Sequence, residues 1–345
     1  MTISPDYAAA KSAYTTRHVR LESIDQVIAA GRPVAGDLVL ARVAEIGQHP
    51  RLELSDGRRA ALYEGEAIIV AYGNRYAPDQ FEAVVPDDLG PCDLVAAGGI
   101  AGRKLSHHAA MLEPTRLEPI GLLGDTTGRR INLRDWRLPD PAVADVAPPT
   151  IAVVGTSMNA GKTTTAAAII RGLTRAGHRV AAAKVTGTGA GGDLWLMTDA
   201  GASPVLDFTA AGFASTYLCT PDDVLTSLRI LWGHLATTRP DVIVLEIADG
   251  LYQRETAALL ASTELATVVD TIVFAAGDAM GATSGVAALR ELGLPVAGVS
   301  GLLTASPLAT SEARDALDVP VFTLEDLFEV PPALMTAPTR TVTVA

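Results

Sequence analysis

The stretch TIAVVGTSMNAGKTTTAAAII (residues 150–170) decides the fold of this 345-residue chain. Strand-forming residues lead into Gly155, and an alanine-rich helical segment follows Gly161. Phosphate-binding loops commonly read G-x-x-x-x-G-K-[ST], with four residues between the glycines. Here five residues separate them, but the Gly-Lys-Thr end of the pattern is intact. The strand before and the helix after therefore predict a phosphate-binding loop of unusual spacing.

Glycines let backbone N–H groups turn toward a phosphate without a clashing Cβ, and a helix N-terminus adds partial positive charge. In such a loop Lys162 reaches the β- and γ-phosphates, and the Thr163 hydroxyl is a magnesium ligand. The predicted nucleotide-binding residues are Gly155, Thr156, Asn159, Ala160, Gly161, Lys162, Thr163 and Thr164.

Composition narrows the function classes. The formal net charge of −12 argues against nonspecific binding to nucleic acid or an anionic membrane. The two cysteines, Cys92 and Cys219, lie far apart, which is typical of buried thiols in a reducing compartment. The start of the chain lacks the apolar core of a signal peptide, and no apolar run reaches the roughly 18 residues of a membrane span. We expect a cytoplasmic protein.

A proline-rich stretch divides the chain, because proline can continue neither a helix nor a strand ladder. Residues 137–149 carry four prolines and form the predicted linker. Residues 1–136 form a predicted β-rich domain that serves substrate binding or an interface. Residues 150–330 form the predicted nucleotide-binding domain, and residues 331–345 a C-terminal tail.

The N-terminal part shows short apolar runs bounded by turn residues. GDLVLARVAEIG (36–47), RLELSDGRRAAL (51–62) and EAIIVAYG (66–73) predict strands. The pair Asp56-Gly57 is typical of a hairpin turn. A small barrel or sandwich is expected.

After the linker, buried-strand runs alternate with segments of helical length. This rhythm predicts an α/β domain with a mostly parallel sheet covered on both faces, whose ligands bind beyond the carboxyl ends of the strands. Helices are predicted from residue 163, from residue 221, near 283–293 and near 308–317. Strands are predicted at 150–155, 180–185, 204–208, 215–219, 241–248, 271–277, 295–301 and 319–322.

The five-residue spacing resembles the loop of dethiobiotin synthetase and of the cobyrinic acid a,c-diamide synthase-like group. The resemblance covers Gly155, Thr156, Gly161, Lys162 and Thr163. It implies a P-loop NTPase domain that transfers a phosphoryl group with ATP and Mg²⁺, and a homodimer. Partition ATPases carry a second lysine early in the loop, which this chain lacks. The sequence also has no N-K-x-D motif for reading guanine, so ATP is the expected nucleotide.

Later residues fall at predicted strand ends. Lys184 ends an apolar strand, where dethiobiotin synthetase-like enzymes have a lysine near the transferred phosphate. In DVIVLEIADG (241–250), Glu246 occupies a Walker B-like position that binds magnesium, since a buried carboxylate without a cation is costly. Asp249 is a second ligand or a base that accepts a substrate proton. The predicted catalytic residues are Lys162, Lys184 and Asp249.

Two aspartates compete for the remaining metal role. The glycine-rich run TGTGAGGD (186–193) predicts a flexible loop that ends at Asp193, and SPVLDFTAAG places Asp207 at a strand end. The Thr-Gly run followed by DFTAAG resembles a P-loop family that contains a D-glutamate N-acetyltransferase. The predicted metal ligands are Thr163, Glu246, Asp207 and Asp193.

Three functions stay open at this point. The first is phosphoryl transfer from ATP to a small-molecule acceptor, as in a metabolite kinase or in a ligase that forms an acyl or carbamoyl phosphate. The second is acyl transfer, which only the N-acetyltransferase resemblance suggests. The third is a regulatory ATPase that acts on a protein partner.

Overall fold

The computed structural model describes residues 9–142 and 147–334. Residues 143–146 of the predicted linker and residues 335–345 of the predicted tail lie outside the described residues. The chain divides into unit 1 (Met1–Leu138, Thr188–Gly192 and Phe208–Leu218) and unit 2 (Pro139–Gly187, Asp193–Asp207 and Cys219–Ala345).

Unit 1 is a β-rich unit. Its strands, over the described residues, are β1 (Lys11–Ser12), β2 (Gln26–Ile28), β3 (Leu38–Glu45), β4 (Arg51–Glu53), β5 (Arg59–Ala61), β6 (Ala67–Tyr72), β7 (Arg75–Tyr76), β8 (Phe81–Val84), β9 (Cys92–Ala96), β10 (Ile100–His107) and β11 (Thr115–Gly124).

Five of these strands pair in a closed ring, in the order β3-β6-β10-β9-β11 and back to β3. All the pairs are antiparallel except β6 with β10. The ring surrounds buried aliphatic side chains such as Val39, Val70, Leu94 and Leu117. The expected barrel is therefore present, and closure leaves its ring strands without free edges. The predicted hairpin joins β4 to β5, with Gly57 at φ +85° in the turn.

Unit 2 contains a parallel sheet. Its strands are β12 (Thr150–Gly155), β13 (Val180–Lys184), β14 (Val205–Asp207), β15 (Val242–Glu246), β16 (Thr271–Ala275) and β17 (Val296–Ser300). The spatial order is β14-β13-β15-β12-β16-β17. The central strands are buried along their whole length, as the near-continuous apolar runs predict.

Helices alternate with these strands. They are α1 (Lys162–Arg175), α2 (Gly192–Ala200), α3 (Pro221–Thr237), α4 (Arg254–Leu260), α5 (Thr263–Val268), α6 (Ala279–Glu291), α7 (Pro307–Ala316) and α8 (Leu324–Phe328). The start of α3 is fixed by a capping box between Thr220 and Asp223, with Pro221 in the first turn. None of the helices in the described residues is both long and apolar enough to cross a membrane.

Three sequence expectations were wrong in detail. Residues 215–219 form no strand; Ser215 pairs only in an isolated bridge with Thr188, inside unit 1. Residues 319–322 supply a single bridge, Val299 to Val321, because Pro320 has no N–H to extend a ladder. The glycine-rich loop is shorter than expected, since α2 begins at Gly192.

The strand order brings distant parts of the sequence together at one edge of the sheet. Strand β15 lies between β12 and β13, and Glu246 is in register with Val153 on one side and with Lys184 on the other. The carboxyl ends of parallel strands share one edge, so the segments that follow these three strands converge there.

Candidate functional site

The loop between β12 and α1 requires its glycines. Gly161 has φ +95°, and a Cβ there would lie 2.9 Å from the backbone N of Leu302 and 3.0 Å from the Cα of Gly301. A Cβ on Gly155 would lie 2.9 Å from Cγ of Lys162. The left-handed conformation and the close backbone approach both exclude larger residues. The segment after β17 also holds the loop, because the Leu302 N–H donates to the carbonyl of Ala160 at 2.9 Å.

Lys162 folds back over this loop. Its Nζ donates to the carbonyl oxygen of Ser157 at 2.7 Å, and the side chain is only 6% exposed. Burial lowers the pKa of the Lys162 ammonium, and the nearby carboxylates of Glu246 and Asp249 oppose that shift. A buried cation held by one neutral carbonyl is well placed to bind an anion.

A cavity of about 370 Å³, called here the loop cavity, opens in front of the loop. It is lined by Met158, Asn159, Gly161, Lys162, Thr163, Thr164, Lys184, Asp193, Glu246, Ala248, Asp249 and Leu302. All three predicted catalytic residues therefore line one cavity in unit 2. The predicted site residues that do not line it are Gly155, Thr156, Ala160 and Asp207.

Glu246 is the most deeply buried carboxylate of the loop cavity, at 1% exposed. Its Oε1 accepts a hydrogen bond from the Thr163 hydroxyl at 2.9 Å. Its Oε2 is buried and has no hydrogen-bond partner among the residues that the structure describes. Desolvation raises the pKa of Glu246 to about 6, with a further contribution from Asp193. A buried oxygen without a donor is costly, and a cation would satisfy it.

Lys184 and Asp193 form an ion pair within hydrogen-bonding distance on the wall of the loop cavity. Burial alone would lower the pKa of Lys184, but the carboxylates of Asp193 and Glu246 outweigh it, and the pKa is raised. The lysine is therefore a fixed positive charge at neutral pH. Of the two competing aspartates, Asp193 reaches the cavity, whereas Asp207 is buried at the end of β14 in register with Lys184.

The geometry fits magnesium at one end of the cavity. Thr163 and Glu246 present a hydroxyl and a carboxylate in contact, with one carboxylate oxygen unsatisfied, and oxygen ligands are those that Mg²⁺ prefers. Across residues 9–142 and 147–334, no three His, Cys, Asp or Glu side chains form a metal-binding group. Mg²⁺ commonly binds through one or two carboxylates together with substrate phosphates and keeps several waters, and a hydroxyl beside one carboxylate is compatible with such a site.

A second cavity of about 360 Å³ adjoins the loop cavity and shares Gly161, Thr164 and Leu302 with it. Its other lining residues are Thr165, Gly301, Thr304, Ala305, Leu324 and Glu325. Thr165 is fully buried, and its hydroxyl oxygen has no hydrogen-bond partner in the described parts of the chain. Leucines and hydroxyl groups together suit a flat organic group with polar edges.

Sequence reasoning missed the contribution of the segment after β17. Gly301 and Leu302 follow that strand, and Leu302 lines both cavities. Only one signal was available: β17 was predicted as a strand of the same parallel sheet, so the segment that follows it must also lie at the ligand edge.

The strand β12, the glycine loop, the helix α1 and the acidic residue that ends the neighbouring strand define a P-loop NTPase fold in an α/β unit. No protein-family model and no curated protein matches the chain.

The solved structures that are similar to it include the following three. The signal recognition particle receptor FtsY from Elizabethkingia anophelis is 15% identical, with a TM-score of 0.35, and 55% of this chain and 65% of that chain are covered. The 54 kDa protein of the signal recognition particle from Aeropyrum pernix K1, in complex with GDP, is 20% identical (TM-score 0.37; 53% and 43% covered). The kinase domain of Escherichia coli tyrosine kinase ETK is 14% identical (TM-score 0.32; 44% and 66% covered). This chain spans less than two thirds of each of them. Similarity at this level carries no argument about activity.

The raised pKa of Glu246 predicts a pH-dependent stability. Its ordinary pKa is 4.5 and its folded-state pKa about 6, so the folded state binds the proton more tightly. The resulting stabilisation is full below pH 4.5 and is lost as the pH rises through 6, in total about 2 kcal/mol. We expect the free energy of unfolding, measured with urea in EDTA, to fall between pH 4.5 and pH 7.5. The fall should be about 2 kcal/mol smaller for Glu246→Gln than for the wild type. The exposed Glu291→Gln should keep the wild-type dependence, and equal dependence in all three proteins would contradict the prediction.

Proposed function

We propose that this chain is a magnesium-dependent enzyme that transfers the γ-phosphoryl group of ATP to a small-molecule acceptor. The observation that carries the proposal is that three side chains line one cavity. They are the buried loop lysine Lys162, the protonated Lys184 and the desolvated carboxylate Glu246. Phosphoryl transfer needs positioning and charge neutralisation more than covalent chemistry.

Lys162 would exchange its bond to the Ser157 carbonyl for the β- and γ-phosphates. Lys184, kept protonated beside Asp193, would stabilise the negative charge that spreads over the transferred group. Thr163 and Glu246 would hold Mg²⁺, which neutralises phosphate charge when it is bound. Asp249, on the wall of the same cavity, would accept the proton of an acceptor hydroxyl as that hydroxyl oxygen bonds to the γ-phosphorus. The bond between the γ-phosphorus and the bridging oxygen of ADP would break in the same transfer.

The second cavity supports a nucleotide rather than a simple phosphate. It shares three residues with the loop cavity, and its leucines and the buried Thr165 hydroxyl suit a base and a ribose. ATP is the expected nucleotide because the sequence has no N-K-x-D motif for guanine.

The acceptor can be of two chemical kinds. A hydroxyl would give a stable phosphorylated product, and a carboxylate or carbamate would give an acyl phosphate for capture by a second nucleophile. Mass spectrometry of a metabolite extract incubated with the protein, ATP and Mg²⁺ tests the proposal. A metabolite that gains one phosphate supports it, and ATP consumed with release of inorganic phosphate alone contradicts it.

A nucleotide-dependent regulator is the second candidate, and one observation favours it. Gly250 and Gly281 both pack against Thr156 of the phosphate loop, and large apolar side chains beside these glycines are open to solvent. Tyr252 is 87% and Met280 84% exposed. Exposed apolar side chains around a nucleotide loop suit contact with another protein. ATP hydrolysis stimulated by a protein fraction, without a phosphorylated metabolite, would favour the regulator over the enzyme.

Removal of the loop lysine should weaken nucleotide binding. Lys162→Ala deletes the buried ammonium, and hydrogen bonds to charged groups contribute about 1.5–3 kcal/mol, so a fluorescent ATP analogue should bind roughly 10- to 100-fold more weakly. Arg175→Ala, an exposed change in the last turn of the same helix, is the matched control and should bind normally. Wild-type affinity in Lys162→Ala would remove the basis of the proposal.

Filling the second cavity should separate base binding from phosphate binding. Ala305→Trp adds an indole at the wall of that cavity, where it should compete with the base and weaken ATP binding by about tenfold or more. Binding of inorganic tripolyphosphate, which needs only the loop cavity, should stay within about twofold, as judged by calorimetry. Leu308→Trp, at an exposed position that lines neither cavity, is the control. Unchanged ATP affinity in Ala305→Trp would place the base elsewhere.

A further inference from the structure

Two buried threonines hold the peptide group that precedes Asp249. The carbonyl oxygen of Ala248 accepts hydrogen bonds from the hydroxyls of Thr186 and of Thr256, the latter at 2.7 Å. The backbone N–H of Asp249 donates to the Thr256 hydroxyl oxygen at 3.0 Å. Both polar atoms of one peptide group are thus bonded to side-chain hydroxyls rather than to a helix or a strand ladder.

The two threonines belong to different elements. Thr186 lies two residues beyond Lys184, just after β13, and Thr256 lies in the first turn of α4. Both side chains are 1% exposed. Thr256 is itself fixed, since its N–H donates to the side-chain oxygen of Gln253, the N-cap of α4, at 2.9 Å. The peptide group is therefore tied at once to the strand that carries Lys184 and to a capped helix.

The tied segment also lies against the phosphate loop. A Cβ on Gly250 would approach the Thr156 carbonyl oxygen to 2.2 Å, so this segment and the loop touch through backbone. Ala248 and Asp249 both line the loop cavity. A small shift of the peptide group would move the Asp249 carboxylate relative to any phosphate bound in the loop, and sub-ångström to ångström displacements are enough to slow catalysis.

We propose that Thr186 and Thr256 are positioning residues, whose hydroxyls hold the Ala248–Asp249 peptide group and so fix the Asp249 carboxylate toward the γ-phosphate position. The effect of this role on turnover depends on the proposed function, whereas the hydrogen bonds to the peptide group do not. Neither Thr186 nor Thr256 lines the loop cavity. The Thr256 hydroxyl proton has two acceptors within reach, the Ala248 carbonyl at 2.7 Å and the Gln253 side-chain oxygen at 3.1 Å, and the shorter contact is to Ala248. The lone pairs of the same hydroxyl oxygen receive the Asp249 N–H.

A direct test needs no activity. Thr256→Val keeps the side-chain shape and removes the acceptor of the Asp249 N–H, whereas Thr256→Ser keeps the hydroxyl. We expect the Asp249 amide to exchange with deuterium at least about tenfold faster in the valine variant, and near the wild-type rate in the serine variant. Thr310→Val is the matched control: Thr310 is 4% exposed, lies outside the loop cavity and donates to the carbonyl of Ser306, the N-cap of α7. Unchanged exchange at Asp249 in Thr256→Val would overturn the proposal.

The turnover of ATP with Mg²⁺ tests the consequence. In Thr256→Val and Thr186→Val we expect kcat to fall about tenfold or more, while the affinity for a fluorescent ATP analogue changes little. Thr256→Ser should restore kcat to within about threefold. Loss of nucleotide affinity in parallel with kcat, or absence of rescue by serine, would show a merely structural role and overturn the proposal. A wild-type protein that binds no ATP would instead refute the proposed function, and the exchange measurement would still decide whether the hydroxyls hold the peptide.

Discussion

The register of β15 between β12 and β13 is the constraint on which the site depends. Glu246 ends β15 and faces the backbone of β12 on one side and of β13 on the other. The same pairing brings the phosphate loop, which follows β12, to the edge of the sheet where Lys184 ends β13. A shift of one residue along β15 would turn Glu246 to the opposite face of the sheet, because side chains alternate along a strand. The buried apolar strands that fix this register therefore fix the site as well.

Two charged side chains of the loop cavity form an ion pair, and two others are hydrogen-bonded to neutral groups. Lys184 and Asp193 neutralise each other, whereas Lys162 is held by a carbonyl and Glu246 keeps one oxygen without a donor in the described chain. Burial shifts the pKa values of the last two groups toward their neutral forms, downward for Lys162 and upward for Glu246. Desolvation is the largest cause of both shifts. Bound ligands of opposite charge would relieve both: an anion at the lysine and a cation at the carboxylate.

Much of this site could be predicted from the sequence, because local chemistry determined it. The Gly-Lys-Thr pattern, the lysine at one strand end and the glutamate at another each follow an apolar run, and parallel strands bring such ends to one edge. The choice between Asp193 and Asp207 was beyond sequence reasoning. Both follow glycine-rich or strand-like segments, and only the start of α2 at Gly192 shows that Asp193 opens a helix on the cavity wall.

Other features depend on pairings between distant segments, which periodicity does not encode. Residues 188–192 and 208–218 belong to unit 1, where Ser215 forms a bridge with Thr188. Residues 215–219 therefore form no strand of the parallel sheet, although they have the composition of one. Likewise, no pattern marks Thr186 and Thr256 as a pair, since they are seventy positions apart and meet only at a carbonyl oxygen. A threonine that follows an apolar strand and one in the first turn of a helix each have an ordinary local explanation as a β-former or as a residue near a helix cap. Their common target distinguishes them. Where hydroxyls replace a regular ladder around one peptide group, the backbone is held in place by side chains, and the residue that follows is positioned more strictly than its place in a loop would suggest.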